Sequence, residues 1–154
     1  MGVTVVGSVA LDTVETPRGI NQEGLGGAAV YFSLAAANYT TVRLVGVVGE
    51  DFPQRHIDLL TSKGIDIEGL ETAEGKTFRW TGRYHRDVNL RDTLDTQLNV
   101  FETFHPKLPA AAQAEKYLFL GNIHPSLQLE VLDGSNAQFI ALDTMNLWIH
   151  TTPD

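Results

Sequence analysis

The chain has 154 residues, of which 43% are hydrophobic and 19% charged, and its formal net charge is −8 with a sequence pI near 5.0. This composition suits one domain with a hydrophobic core and excludes intrinsic disorder as the main state. The lack of cysteine excludes disulfide bonds, thiolate metal sites and a catalytic cysteine, and an acidic chain without a run of Lys or Arg disfavours nucleic-acid partners.

Neither a secretory signal nor a membrane span is predicted. The first residues lack the basic start and apolar run of a signal peptide, and no segment approaches the roughly 20 apolar residues of a membrane helix. We therefore predict a soluble, cytoplasmic protein without a membrane partner.

The first third of the chain alternates apolar strands with helices. The predicted elements are strands over 3–6 and 42–48 and helices over 28–38 and 54–62. Pro53 is expected as the first residue of the second helix, and Gly64 is expected to end it. This order predicts a doubly wound α/β sheet with right-handed crossovers.

The middle of the chain changes to the two-residue period of a strand with one exposed face. Apolar and polar residues alternate over 78–85 and again over 93–101, which predicts an antiparallel hairpin added to the α/β core. Beyond it we expect a strand over 117–120, a short helix over 126–132, a strand over 139–142 capped by Asp143, and the start of a further helix.

A glycine cluster precedes the first predicted helix and leaves three interpretations open. Gly24, Gly26 and Ala29 match a loose dinucleotide-binding pattern, although that pattern should follow the first strand directly. The glycines could instead serve close helix packing. In the third interpretation, Gly26 and Gly27 let a small polar ligand reach backbone amides at the helix N-terminus.

Asp12 follows the first strand at the edge where ligands bind in open α/β sheets. A carboxylate at this edge can accept hydrogen bonds from several sugar hydroxyls. A solvated acidic residue in a turn is the alternative interpretation of the same position.

Four blocks of sequence together resemble a known family. They are Gly7-Ser-Val-Ala-Leu-Asp12, Leu25-Gly-Gly-Ala-Ala29, Val42-Arg-Leu-Val-Gly-Val-Val-Gly-Glu-Asp51 and Lys63-Gly-Ile-Asp66. Their order is similar to the N-terminal half of the ribokinase-like (PfkB) carbohydrate kinases. The resemblance implies a three-layer α/β sheet flanked by helices, with a small β-hairpin lid and with the C-terminal half of the fold missing.

The resemblance also implies roles for individual residues. The substrate-binding candidates are Asp12, Gly26, Gly27, Tyr31, Asn122, Asp143 and Asn146. Asp12 would bind acceptor hydroxyls, and the two glycines would present amides to the sugar. Tyr31 and Ala10 stand where family members often have an Asn, so the resemblance does not imply specificity for ribose.

The expected function is the acceptor-binding part of an ATP- and Mg²⁺-dependent kinase that phosphorylates an alcohol group of a sugar or nucleoside. No catalytic residue and no metal ligand is assigned in this chain, because the family's catalytic base and nucleotide site belong to the missing half, and we expect the chain alone to be inactive. We expect one domain over 1–154, with lid segments at about 11–25 and 76–102 through which a homodimer could form. The rival hypothesis is a non-enzymatic α/β module that binds a small ligand or pairs through its hairpin.

Two further patterns point to no site of their own. Asn38-Tyr39-Thr40 matches a glycosylation sequon but lies at the end of a predicted helix in a chain without a predicted signal. The five His residues are scattered without metal-ligand spacing and are interpreted as structural or solvated, with a position of His124 in the cleft beside Asn122 as the alternative.

Overall fold

The computed structural model describes residues 2–152 and contains two β-sheets. The strands are β1 (Gly2–Val6), β2 (Ala10–Thr16), β3 (Gly19–Gly26), β4 (Thr41–Gly49), β5 (Asp66–Ala73), β6 (Arg79–Tyr84), β7 (Arg91–Gln97), β8 (Tyr117–Leu120) and β9 (Phe139–Leu142). The helices are α1 (Ala28–Ala36), α2 (Gln54–Ser62), α3 (Ala110–Gln113), α4 (Pro125–Asp133) and α5 (Asn146–Thr151), with a 3-10 helix at Asn99–Thr103. No helix in this described part of the chain is long and apolar enough to cross a membrane.

The larger sheet has five parallel strands in the order β5-β4-β1-β8-β9. Its central strand β1 is buried along its whole length, as the apolar run predicts. Because side chains alternate across a strand, Val5 packs in a hydrophobic cluster with Val30 of α1, whereas Val6 packs on the other face with Ala112 of α3. Helices thus cover both faces, and the predicted three-layer α/β fold is confirmed.

The smaller sheet has four strands in the order β3-β2-β6-β7. β2 and β3 form one antiparallel hairpin, β6 and β7 form another, and β2 pairs with β6 in parallel. The predicted hairpin over 78–101 therefore exists as half of a larger sheet. Its second strand ends at Gln97, earlier than predicted, because Asn99 adopts a positive φ of 51° and Val100 turns inward to be buried beside Val47.

The predicted bounds of α2, 54–62, match the observed helix at both ends, and only the role of Pro53 differs. Gly64 follows the helix with a φ of +72°, the left-handed conformation that favours glycine, so the predicted end is confirmed. Pro53 is the N-cap residue, with a ψ of 132°, and not the first helical residue as predicted. Because its ψ is extended, Pro53 precedes the helix and is not part of it.

Candidate functional site

The two sheets are joined where the chain leaves β1 and where it enters α1. Residues 7–9 connect β1 to β2, and Gly27 connects β3 to α1 with a φ of +100°. A Cβ at Gly27 would overlap the carbonyl oxygen of Ser8. Glycine is therefore required here both for its conformation and for its lack of a side chain.

Ser8 supplies the missing cap of α1. Its hydroxyl oxygen accepts a hydrogen bond from the amide of Ala28 at 3.1 Å, and its carbonyl oxygen accepts one from the amide of Ala29 at 3.2 Å. Two amides at the helix N-terminus are thus bonded within the chain, and a ligand would have to use other groups. The sequence does not predict that Ser8 caps this helix, because Ser8 lies 20 residues from the amide that it caps.

The Asp12 carboxylate occupies the space in front of Gly26. A Cβ on Gly26 would overlap this carboxylate, so the glycine makes room for it. Burial raises the pKa of Asp12 to about 6, and no hydrogen bond or ion pair from any residue between 2 and 152 reaches the carboxylate. A partly buried carboxylate without a protein partner is able to accept hydrogen bonds from hydroxyl groups of a ligand.

Aromatic residues surround Asp12. Trp80 pairs with Asp12 across neighbouring strands, so the two side chains lie on the same face of the four-stranded sheet, and Tyr84 follows on that face. Tyr31 lies in the first turn of α1 and is mostly exposed. Partial burial raises the pKa of Tyr31, and the charges of Asp12 and Tyr84 raise it further, so Tyr31 lies within electrostatic range of both side chains.

The Trp80 ring is held within its own sheet. It lies over Gly82, where a Cβ would overlap the ring, and its Nε1 donates a hydrogen bond to the hydroxyl of Thr93 at 3.3 Å. The guanidinium carbon of Arg91 lies 5.8 Å from the ring centroid. Trp80 therefore has a defined orientation beside Asp12.

Asn122, Asp143 and Asn146 lie at the carboxyl ends of β8 and β9. Trp148 Nε1 donates a hydrogen bond to Asn122 Oδ1 at 2.9 Å, and Asn122 Nδ2 contacts Met145 Sδ at 3.2 Å, so this amide already has partners in the chain. Burial raises the pKa of Asp143, whereas Asn146 is exposed at the start of α5. No hydrogen bond or ion pair in the described part of the chain connects these residues to Asp12.

His124 has a structural role. Its Nδ1 accepts a hydrogen bond from the amide of Ser126 at 3.2 Å, which caps α4, and its ring packs on Trp148 with centroids 5.1 Å apart. Among residues 2–152 no three His, Asp or Glu side chains are grouped to hold a metal ion.

Comparisons with known proteins identify the architecture. No protein-family model matches the chain. A curated cytidine kinase from Thermococcus kodakarensis is 28% identical over 145 residues, a match that covers 93% of this chain and 51% of that protein. The nucleoside kinase of Methanocaldococcus jannaschii, an archaeal member of the ribokinase family, superposes with a TM-score of 0.71 at 18% identity over 93% of this chain and 52% of its own. The ribokinase of Cryptococcus neoformans, solved with ADP, superposes with a TM-score of 0.75 at 18% identity over 95% and 50%.

The chain has the ribokinase-like fold. The fold implied by the four sequence blocks is therefore confirmed. The similar proteins are nucleoside and sugar kinases, which is the class that the resemblance named. The chain spans about half the length of the relatives that it matches.

Proposed function

We propose that this chain is the acceptor-binding part of a kinase that transfers a phosphoryl group to an alcohol of a sugar or nucleoside. The observation that supports this best is the Asp12 carboxylate, which is partly buried against Gly26 and has no hydrogen-bond or ion-pair partner among residues 2–152. A buried, unpaired carboxylate costs stability unless a ligand supplies hydrogen bonds, and acceptor hydroxyls are such donors.

The face around Asp12 suits an acceptor that has a ring. Trp80, Tyr84 and Tyr31 offer aromatic surfaces beside the carboxylate, so the hydroxyls of a ligand would meet Asp12 while its ring contacts the aromatic side chains. We propose further roles at the cleft for Gly26, Gly27, Asn122, Asp143 and Asn146. Asn122 would have to exchange its bond with Trp148 to reach a ligand.

ATP and Mg²⁺ are the proposed co-substrate and metal of the whole enzyme. When bound, they would supply the phosphoryl group and neutralise charge on it during transfer. The residues present here do not fit a metal, because no suitable cluster of ligands exists between residues 2 and 152. We therefore assign to this chain the binding and orientation of the acceptor and no step of phosphoryl transfer.

Calorimetric titration of the chain with cytidine and with ribose at pH 7.5 tests this proposal. We expect saturable binding that Asp12→Asn weakens about ten-fold or more, because hydrogen bonds to a charged group are each worth roughly 1.5–3 kcal/mol. Asp95→Asn is the matched control, since Asp95 is an exposed carboxylate on the opposite face of the same sheet. Failure of the wild-type chain to bind any acceptor, or equal binding by Asp12→Asn, would contradict the proposal. A downstream coding sequence without a Gly-Ala-Gly-Asp block would favour the rival, non-enzymatic module.

A further inference from the structure

We propose that Arg79 and Asp51 are positioning residues for the acceptor site, because they fix the four-stranded sheet, and with it Asp12, against the carboxyl end of β4. This inference rests on the proposed function, because that proposal identifies Asp12 as the residue that binds the acceptor. It depends on a separate set of contacts, which none of the substrate-binding candidates makes.

Arg79 connects three parts of the chain through one guanidinium. Its Nε bonds Glu23 Oε1 on β3 at 2.9 Å, and its Nη2 bonds Asp51 Oδ2 in the turn after β4 at 2.8 Å. Its Nη1 donates to the carbonyl oxygen of Thr77, just before β6, at 3.0 Å. A strand of the smaller sheet is thus tied directly to the end of a strand in the larger sheet.

Thr77 adds further hydrogen bonds between Asp51 and the start of β6. Asp51 Oδ1 accepts hydrogen bonds from the amide and from the hydroxyl of Thr77, both at 2.8 Å. The amide of Gly49, the last residue of β4, donates to the same hydroxyl at 3.0 Å, and Thr77 is completely buried. Burial alone would raise the pKa of Asp51, but the bonds from Thr77 and Arg79 outweigh it and hold the pKa below its ordinary value.

The connection is adjacent to the acceptor site in the strand register. Arg79 pairs with Leu11, and the next pair is Trp80 with Asp12. Glu23, the other carboxylate on Arg79, directly precedes Gly24, which pairs with Asp12 on its second side. A displacement of Arg79 would therefore move the strands on both sides of the Asp12 carboxylate.

The three contacts require the geometry of arginine. A guanidinium directs five N–H groups in a planar fork, whereas lysine carries its three N–H groups on one nitrogen and cannot reproduce contacts that Arg79 makes from Nε, Nη1 and Nη2. Arg79→Lys therefore keeps the positive charge and removes the planar arrangement of N–H donors. Arg83 is the matched control, because it lies on the same strand and face as Arg79 and bonds one carboxylate, Glu15 of β2, at 2.7 Å within the same sheet.

The experiment compares Arg79→Lys, Asp51→Asn and Arg83→Lys in the chain. In the first two variants, hydrogen exchange followed by mass spectrometry should show about ten-fold faster exchange of the amides in residues 10–26 and 79–97. Exchange in β1 and β8 should not change, because the loss of hydrogen bonds to a charged group loosens only the segments that those bonds hold. NMR titration of the Asp12 carboxyl carbon should show its pKa falling towards the ordinary value, because a displaced sheet exposes Asp12 to water. Arg83→Lys should change neither measurement.

Each outcome decides one question. Faster exchange spread evenly over both sheets, or an unchanged pKa of Asp12 despite a loosened sheet, would show that Arg79 and Asp51 only stabilise the fold and would overturn the inference. Acceptor affinity, measured in the same variants, should fall about ten-fold in those variants in which the pKa of Asp12 falls. If the wild-type chain bound no acceptor, the proposed function would fail, whereas the exchange and NMR results would still decide whether these residues position Asp12.

Discussion

Asp12 is held in an environment that opposes its charge. Because burial raises its pKa to about 6, whereas an unfolded chain gives a value of about 4, the native state binds a proton more tightly than the unfolded state. The free energy of unfolding should therefore fall as the pH rises from about 4 to about 6 and stay lower above that range. The ionised carboxylate therefore costs stability at neutral pH, which agrees with the proposed role of Asp12 in binding a ligand.

We expect Asp12→Asn to stabilise the chain at pH 7.5 by roughly 1–2 kcal/mol, an estimate reduced from the full pKa shift because water still reaches part of the side chain. At pH 3 the substitution should have little effect, since Asp12 is then protonated in both the native and the unfolded state. Chemical unfolding at both pH values measures the difference. A variant that is less stable than the wild type at pH 7.5 would show that Asp12 has a stabilising partner.

Gly26 should be as important for binding as Asp12. In Gly26→Ala the new Cβ would displace the carboxylate from its place, so acceptor affinity should fall about ten-fold while the fold survives, because a flexible side chain can move aside. Gly134→Ala is the control, since its Cβ would meet neighbours no nearer than 3.6 Å and its φ of −85° suits alanine. Equal affinities of the two variants, measured by calorimetry, would contradict the assigned place of the Asp12 carboxylate.

Single residues differ in how far the sequence identifies them. Asp12 and the glycine pair can be proposed as site residues from the sequence, because strand ends and glycine clusters have local patterns. Asp51, Thr77 and Arg79 form one network across 26 residues or more, and no local pattern distinguishes them from solvated polar residues. Asn122 was found by position, but its partner Trp148, 26 residues away, could not be predicted.

At the scale of elements, the apolar strands and the alternating hairpin β6–β7 were predicted, whereas the polar strands β2, β3 and β5 were not. β1, β4, β8 and β9 are apolar runs, and each was placed within about a residue of its observed bounds. β5 lies at the edge of the sheet with acidic residues along it, and its strand is set by pairing with β4 and not by its own composition. The polar stretch over 12–23 belongs to the β2–β3 hairpin for the same reason.

Trp80 tests the role of the four-stranded sheet as a lid. Because the ring lies on the Asp12 face, Trp80→Ala should weaken acceptor binding several-fold, and if the sheet also joins two copies it should shift the chain towards monomer. Ile20→Ala is the control, since Ile20 is an exposed apolar residue near the far end of the same sheet. Calorimetry and analytical sedimentation measure the two effects, with circular dichroism to verify the fold. If neither changes, the proposed lid role is wrong.

At the scale of the whole molecule, the two sheets have different roles. The five-stranded sheet contains the hydrophobic core between its helices, and the four-stranded sheet carries Asp12, Trp80 and Tyr84 on one face. The chain spans about half the length of the kinases that it matches, and the proposed function assigns to it the acceptor site alone.

The 154-residue chain alone should therefore bind acceptor without phosphorylating it. Phosphoryl transfer needs a positioned metal, a site for the phosphate groups of ATP and a base that orients the acceptor hydroxyl. The described part of the chain has no cluster of metal ligands, and the role that we propose for the Asp12 carboxylate is to bind the hydroxyls of the acceptor. Release of ADP from ATP with cytidine or ribose should stay at the level of a blank that lacks protein, with and without Mg²⁺. Turnover that requires the chain and disappears when Mg²⁺ is removed would contradict this prediction and show that residues 1–154 assemble a phosphoryl-transfer site of their own.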